Sequence, residues 1–163
     1  VPVQLTVQQE RVQEVAKALR AEEDGKALRR DLAKNMRGAL EPAVTDARNA
    51  VMTIASARSG APPLRAGIAQ RIRAEARLSG RATGARVRAR RTPNLRGFTH
   101  APKRTQSRKG WRRMVFGREG SFVTQVGKPR WFDDTVRRRA GEYRAAVKAA
   151  VEAMAQRIAD RSR

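Results

Sequence analysis

The chain has 163 residues, with 37 Lys and Arg against 15 Asp and Glu, for a formal net charge of +22. It has no cysteine, which excludes disulfides and thiolate metal sites, and its lone histidine, His100, has no companion ligands for zinc. No apolar run approaches the roughly 18 residues of a membrane-spanning helix and no signal-peptide pattern is present, so a soluble chain made in a cytoplasm is expected.

The length fits a single domain, residues 1–163, with projecting arms. Apolar residues make up 40% of it, but many are alanines that bury little area, so a thin core supported partly by neighbouring subunits is expected. The charge is local. Residues 1–57 are nearly balanced, whereas residues 71–113 carry fifteen Lys and Arg against Glu75 alone. Such a patch attracts polyanions or acidic protein surfaces.

Val1 to Val7 reads as an extended lead-in. From Gln8 to Glu23, Val12, Val15, Ala16 and Leu19 recur at helical spacing, and Asp24-Gly25 stops the run. Leu28, Leu32, Met36, Leu40, Val44, Ala47, Val51 and Ile54 then form one stripe over residues 26–57. Pro42 kinks that helix, or splits it near Leu40. The two helices make a helical arm over residues 8–57. Ser59-Gly60-Ala61-Pro62-Pro63 is a break, and a short helical turn follows from Leu64 to Ala69.

The period changes to two at Ile72. Ile72, Ala74, Ala76 and Leu78 alternate with Arg71, Arg73, Glu75 and Arg77. After a Gly80–Gly84 turn, Ala85, Val87 and Ala89 alternate with Arg86, Arg88 and Arg90. This is a hairpin with one apolar and one arginine face. That face is either the solvated side of a sheet or a surface for DNA or an acidic partner. It has no interleaved aromatics for base stacking, which leaves backbone contact. Residues 91–110 show no period and read as a basic loop carrying Lys103, Arg104, Arg108 and Lys109, either a disordered tether or an arm that orders on a neighbour.

The stretch Trp111 to Asp134 holds both tryptophans with Phe116, Phe122 and Phe132 in a chain only 4% aromatic. Met114-Val115-Phe116 and Ser121-Phe122-Val123 flank Gly117-Arg118-Glu119-Gly120, a second hairpin. Gly127-Lys128-Pro129 ends it. Trp131-Phe132 is expected to lock the last helix onto the sheet, with Asp133 and Asp134 capping its N-terminus. That helix is expected over residues 132–160, burying Val136, Ala140, Tyr143, Val147, Ala150, Val151, Met154 and Ile158. The expected fold class is α+β: two N-terminal helices, the second long and kinked at Pro42, a four-strand antiparallel meander over residues 71–126, and a long C-terminal helix.

Enzyme chemistry finds no support in these residues. Adjacent Asp133 and Asp134 diverge on a helix, His100 has no partner acid or nucleophile, and both glycine turns lack a phosphate-loop ending, so no catalytic residue, metal or cofactor is expected.

The run Val115-Phe116-Gly117, Val123-Thr124-Gln125 and Lys128-Pro129-Arg130-Trp131-Phe132-Asp133-Asp134 resembles the tail-component, or neck, proteins of long-tailed bacteriophages, the tail-completion and head-to-tail connector group. The order of elements over about residues 20–160 is similar. Two positions depart from the family pattern: Arg113-Met114 stands where His-Pro is common, and Arg130 where glycine precedes the tryptophan. The resemblance implies a non-catalytic virion protein that assembles in the host cytoplasm into a homo-oligomeric, sixfold ring. Read from the residues alone, Trp111, Phe116, Phe122, Pro129, Trp131, Phe132, Asp133 and Asp134 form a structural hinge between the sheet and the last helix, the rigid body of such a subunit. The partners implied by the resemblance are other neck and tail proteins, with non-specific contact to packaged DNA and no membrane. The alternative is a basic protein that binds nucleic acid without sequence preference.

Overall fold

A computed structural model of the chain describes residues 9–55, 64–115 and 117–161. The lead-in at Val1–Val7, the break at Ser59–Pro63 and Phe116 lie outside the described residues. The architecture mixes helices with two small antiparallel sheets. Among the described residues the chain packs as two compact units. A helical unit holds residues 9–45, 74–88 and 139–161, and an aromatic unit holds residues 46–55, 64–73, 89–115 and 117–138.

Three helices build the helical unit: α1 (Gln9–Ala21), α2 (Gly25–Gly38) and α7 (Ala140–Arg161), each in contact with the other two. Their sequences explain the arrangement. Val12, Val15, Ala16 and Leu19 of α1, Leu28, Leu32 and Met36 of α2, and Tyr143, Val147, Val151 and Met154 of α7 recur every three or four residues and are all buried. Full burial stabilises each of the larger side chains by about 1.5–3 kcal/mol. The corner between α1 and α2 is closed tightly, and a Cβ on Gly25 would collide with the carbonyl of Leu19. Outside the apolar contact run ion pairs. Arg11 donates through Nε and Nη2 to the two oxygens of Glu152, both at 3.0 Å. Arg161 donates to both oxygens of Asp24 at 2.8 and 2.9 Å.

The stripe expected as one long helix, kinked at Pro42 or split near Leu40, is split into two helices, α2 and α3 (Glu41–Met52). Pro42 has no N–H to give and its ring crowds the carbonyl four residues back, at Gly38, which is itself a weak helix former. The helical ladder therefore ends at Gly38, and Ala39 and Leu40 form the corner. Leu40 stays fully buried, and its carbonyl accepts the N–H of Val44 at 3.1 Å. The expected C-terminal helix is likewise two, α6 (Trp131–Arg138) and α7, interrupted at Arg139 just before Gly141.

The expected four-strand meander is two separate two-stranded sheets. One pairs β1 (Ile72–Arg77) with β2 (Gly84–Ala89), and the other pairs β3 (Trp111–Met114) with β4 (Phe122–Gln125). The reason lies between β2 and β3. There the chain closes on itself through Thr92, whose N–H and Oγ1 donate to the carbonyls of Thr99 and Phe98 at 2.8 Å. It then winds into α5 (Ala101–Gln106). Those residues satisfy their polar groups locally, so the chain between the two hairpins is a turn and a helix and not a strand connection. The basic stretch is thus a packed segment and not a tether, since Thr92, Leu95, Ala101, Pro102 and Thr105 are buried. Leu95 lies against α4 (Leu64–Ala69) at Gly67.

The ion pairs make the helical unit sensitive to acid. The Arg161 hydrogen bonds hold the Asp24 carboxyl below its usual range, and those from Arg11 do the same for Glu152. A depressed carboxyl pKa contributes stability that is full above the unfolded-state value and is lost as pH falls through the folded one. Urea unfolding midpoints between about pH 5 and pH 3 should therefore fall. Asp24→Asn with Glu152→Gln should lower the midpoint at neutral pH and flatten that slope.

Candidate basic interface

The sheet β1–β2 carries the alternating arginines, and the structure divides them by role. Arg86 is taken out of the set: its Nε donates to Glu75 Oε2 at 3.0 Å, with only 16% and 13% of the two side chains exposed. The strand alternation that grouped Glu75 with the arginines put this cross-strand pair on one face. Arg71 is half-buried and donates through Nε to the carbonyl of Arg91 at 2.9 Å, while its own carbonyl accepts the N–H of Arg90. Arg73, Arg77, Arg88 and Arg90 are exposed. Arg77, Arg86 and Arg88 belong to the helical unit, whereas Arg71, Arg73 and Arg90 belong to the aromatic unit with the remaining predicted cations.

Those remaining cations cluster along one stretch. Lys103 and Arg104 project from α5, and Arg108 and Lys109 follow on the turn into β3, all four exposed. The guanidinium of Arg104 lies 5.4 Å from the ring centre of Phe98, and that ring lies 5.1 Å from Trp111. A planar guanidinium over an aromatic face is attracted by the ring quadrupole. This stack fixes the stretch against the base of the second hairpin. His100 is exposed at the N-cap of α5 and makes no side-chain capping bond.

Other arginines serve the backbone, which the sequence did not reveal. Arg48 donates to the carbonyls of Ala69 and Ile72 at 3.3 and 3.1 Å, and Arg65 donates to the carbonyl of Met52 at 2.9 Å. Met52 and Ala69 are the last residues of their helices, where carbonyls lack an intrahelical partner.

The predicted hinge residues separate into two groups. Trp131 and Phe132 are buried, each 2% exposed, with rings 5.6 Å apart and edge to face. Trp111 is half-buried, while Pro129 is exposed and Phe122 is 50% exposed, so Phe122 and Pro129 are not part of a packed hinge. A two-stranded ribbon of four residues per strand has too little sheet to cover its own side chains.

The aspartates are not the cap of α6. The N–H groups of Phe132 and Asp133 both donate to Oε1 of Gln106, at 3.0 Å each. Indole Nε1–H of Trp131 donates to Thr105 Oγ1 at 3.1 Å, and Thr105 Oγ1 donates in turn to the carbonyl of Ala101 at 2.7 Å. Asp133 and Asp134 occupy the first turn, favourable for negative charge, and Asp134 accepts from Arg130 Nε at 3.0 Å. Gln106 was missed because it sits 26 residues from the helix it caps and is not a customary cap residue. Arg130, which stands where the family pattern has glycine, adopts a left-handed φ of 58°.

Among the described residues no group of three or more His, Cys, Asp or Glu side chains is placed to hold a metal ion, and no helix is long and apolar enough to cross a membrane. Comparison with protein-family models, curated proteins and solved structures gives no match.

Thr105→Val leaves the Trp131 N–H buried without a partner and should lower the unfolding free energy by about 1–3 kcal/mol. Gln106→Ala uncovers two amide groups at the start of α6 and should cost about 1–2 kcal/mol. Denaturant unfolding followed by tryptophan fluorescence measures both.

Proposed function

We propose that this chain is a structural protein of the phage neck, a ring-forming subunit that joins the DNA-filled head to the tail. One observation carries the reading. The stretch bearing the family-like residues is a β-hairpin leading directly into a helix at Trp131-Phe132-Asp133-Asp134, and the residue before that tryptophan is left-handed. A glycine takes that conformation freely, so the family's pattern suits this backbone and Arg130 is a local substitution on it. Helices with alanine-rich stripes are suited to close packing between subunits. A sixfold ring would set one basic patch per copy around an axis, and their fields would add on a DNA channel or on acidic neighbouring rings.

A second reading, non-specific nucleic-acid binding, draws on the exposed Arg73, Arg88, Lys103, Arg104, Arg108 and Lys109. The two readings separate in solution. A duplex-binding protein holds DNA at physiological salt, with a log–log salt slope near −0.9 per phosphate contact. Neutralising Arg88, Lys103 or Arg104 then weakens binding evenly across sequences. The neck subunit is expected to bind duplex weakly, to release it near physiological salt, to form closed rings by native mass spectrometry, and to be present in purified particles. Its absence from particles, or intact head–tail joining after its loss, would overturn the neck reading.

A further inference from the structure

The β3–β4 hairpin is largely exposed, with only Trp111 and Gln125 partly covered. Its register pairs Trp111 with Gln125, Arg112 with Thr124, Arg113 with Val123 and Met114 with Phe122. Alternation therefore puts Arg112, Met114, Phe122 and Thr124 on one face and Trp111, Arg113, Val123 and Gln125 on the other. Met114, Phe122, Val123 and the following Val126 are 52%, 50%, 46% and 52% exposed. They account for four of the five large apolar side chains exposed among the described residues, so the exposure is concentrated and not scattered. Among the described residues no third strand pairs with either β3 or β4, which leaves both outer edges with backbone groups unpaired.

The ribbon is nonetheless held firmly at its base. Gly110, at a φ of 65°, brings the chain so close to Gln125 that a Cβ there would collide with the Gln125 carbonyl, and Trp111 stacks on Phe98. A fixed arm with open edges is prepared for strand addition, because the ordering cost is largely met before a partner arrives.

Its charge selects the partner. Between Glu75 and Asp133 the sequence has a single acid, Glu119, and Arg112 and Arg113 have no ion-pair partner among the described residues. A second copy pairing hairpin to hairpin would set Arg112 and Arg113 against the same two arginines. A duplex would meet Arg112 and Arg113 with phosphates but would leave Met114, Phe122 and Val123 nothing apolar to bury against.

We propose that the β3–β4 hairpin is a docking arm for an extended acidic segment of a partner protein. The segment lies along the outer edge of β4 as an added strand, with its apolar side chains against Phe122 and Val123, beside Met114, and its carboxylates met by Arg112 and Arg113 from across the ribbon, as Arg112 already reaches over the Phe122 ring at 4.8 Å. Because each face of the ribbon carries both an arginine and apolar groups, the matching strand carries both kinds on each face. A Glu-Glu-Val-Val repeat has that pattern. The inference rests on the hairpin alone and is independent of the neck reading.

The test is binding of a fluorescent peptide of repeating Glu-Glu-Val-Val to the full chain, with polyglutamate and a short DNA duplex as separate probes. The expected result is binding of the repeat peptide, slowed amide exchange over residues 111–115 and 121–126, and a loss of about tenfold or more with Met114→Ser plus Phe122→Ser. The polyglutamate affinity should not change in that variant. Arg112→Glu plus Arg113→Glu is the second variant, used if the first melts at a lower temperature than the parent, and it too should abolish peptide binding. Equal affinity for polyglutamate and the repeat peptide would overturn the proposal. So would duplex binding, or concentration-dependent self-association, that the Met114 and Phe122 substitutions remove.

Discussion

The aromatic unit depends on one junction, where two adjacent side chains of the six-residue α5 receive the start of α6. Thr105 accepts the Trp131 indole N–H, and Gln106 accepts two amide N–H groups that no helical carbonyl can reach. The Gln106 carbonyl also accepts the N–H of Arg130 at 2.9 Å, so the left-handed residue is held from the same place. With the indole fixed, Phe132 and Val136 bury on the same side of α6. A helix as short as α5 is marginal by itself. It persists here because Ala101, Pro102 and Thr105 are buried, so junction and helix stabilise one another.

The large positive charge has more than one use. Arg48, Arg65 and Arg71 spend their donors on main-chain carbonyls, Arg86 on Glu75, and Arg11 and Arg161 on the acids that tie α1 and α2 to α7. A guanidinium suits all of these, because several fixed N–H groups reach two acceptors at once. Of the predicted cations, what remains for a partner is a smaller set on β1 and β2 and on and around α5 and β3. Net charge read from the sequence overstates the surface offered to a polyanion, and the position of each arginine corrects it.

Much of the helical unit was legible in the sequence because its signal is local and periodic. Val12 to Leu19 and Leu28 to Met36 repeat with the helix, Gly25 marks a corner that only glycine passes, and Pro42 marked the split near Leu40. The first hairpin was legible from its period of two. The aromatic unit was harder to read. A single turn and a half of helix, residues 101–106, is too short to show a period, and Pro102 and the dense charge read as loop. The capping by Gln106 links positions 26 residues apart, which no spacing rule detects. Phe122 and Met114 look like core residues by type, and only the two-stranded extent of their sheet reveals that nothing covers them.

The two units are also held by chemically different fastenings. The helical unit is tied at its rim by carboxylates that acid neutralises, whereas α6 is anchored by an amide oxygen and a hydroxyl, which keep their hydrogen-bonding character across the ordinary pH range. Salt discriminates in the same direction, since it screens exposed ion pairs and leaves bonds between neutral groups almost untouched. Acid or brine therefore acts on the clasp among α1, α2 and α7 and leaves the Thr105 and Gln106 bonds of the tryptophan-bearing junction in place.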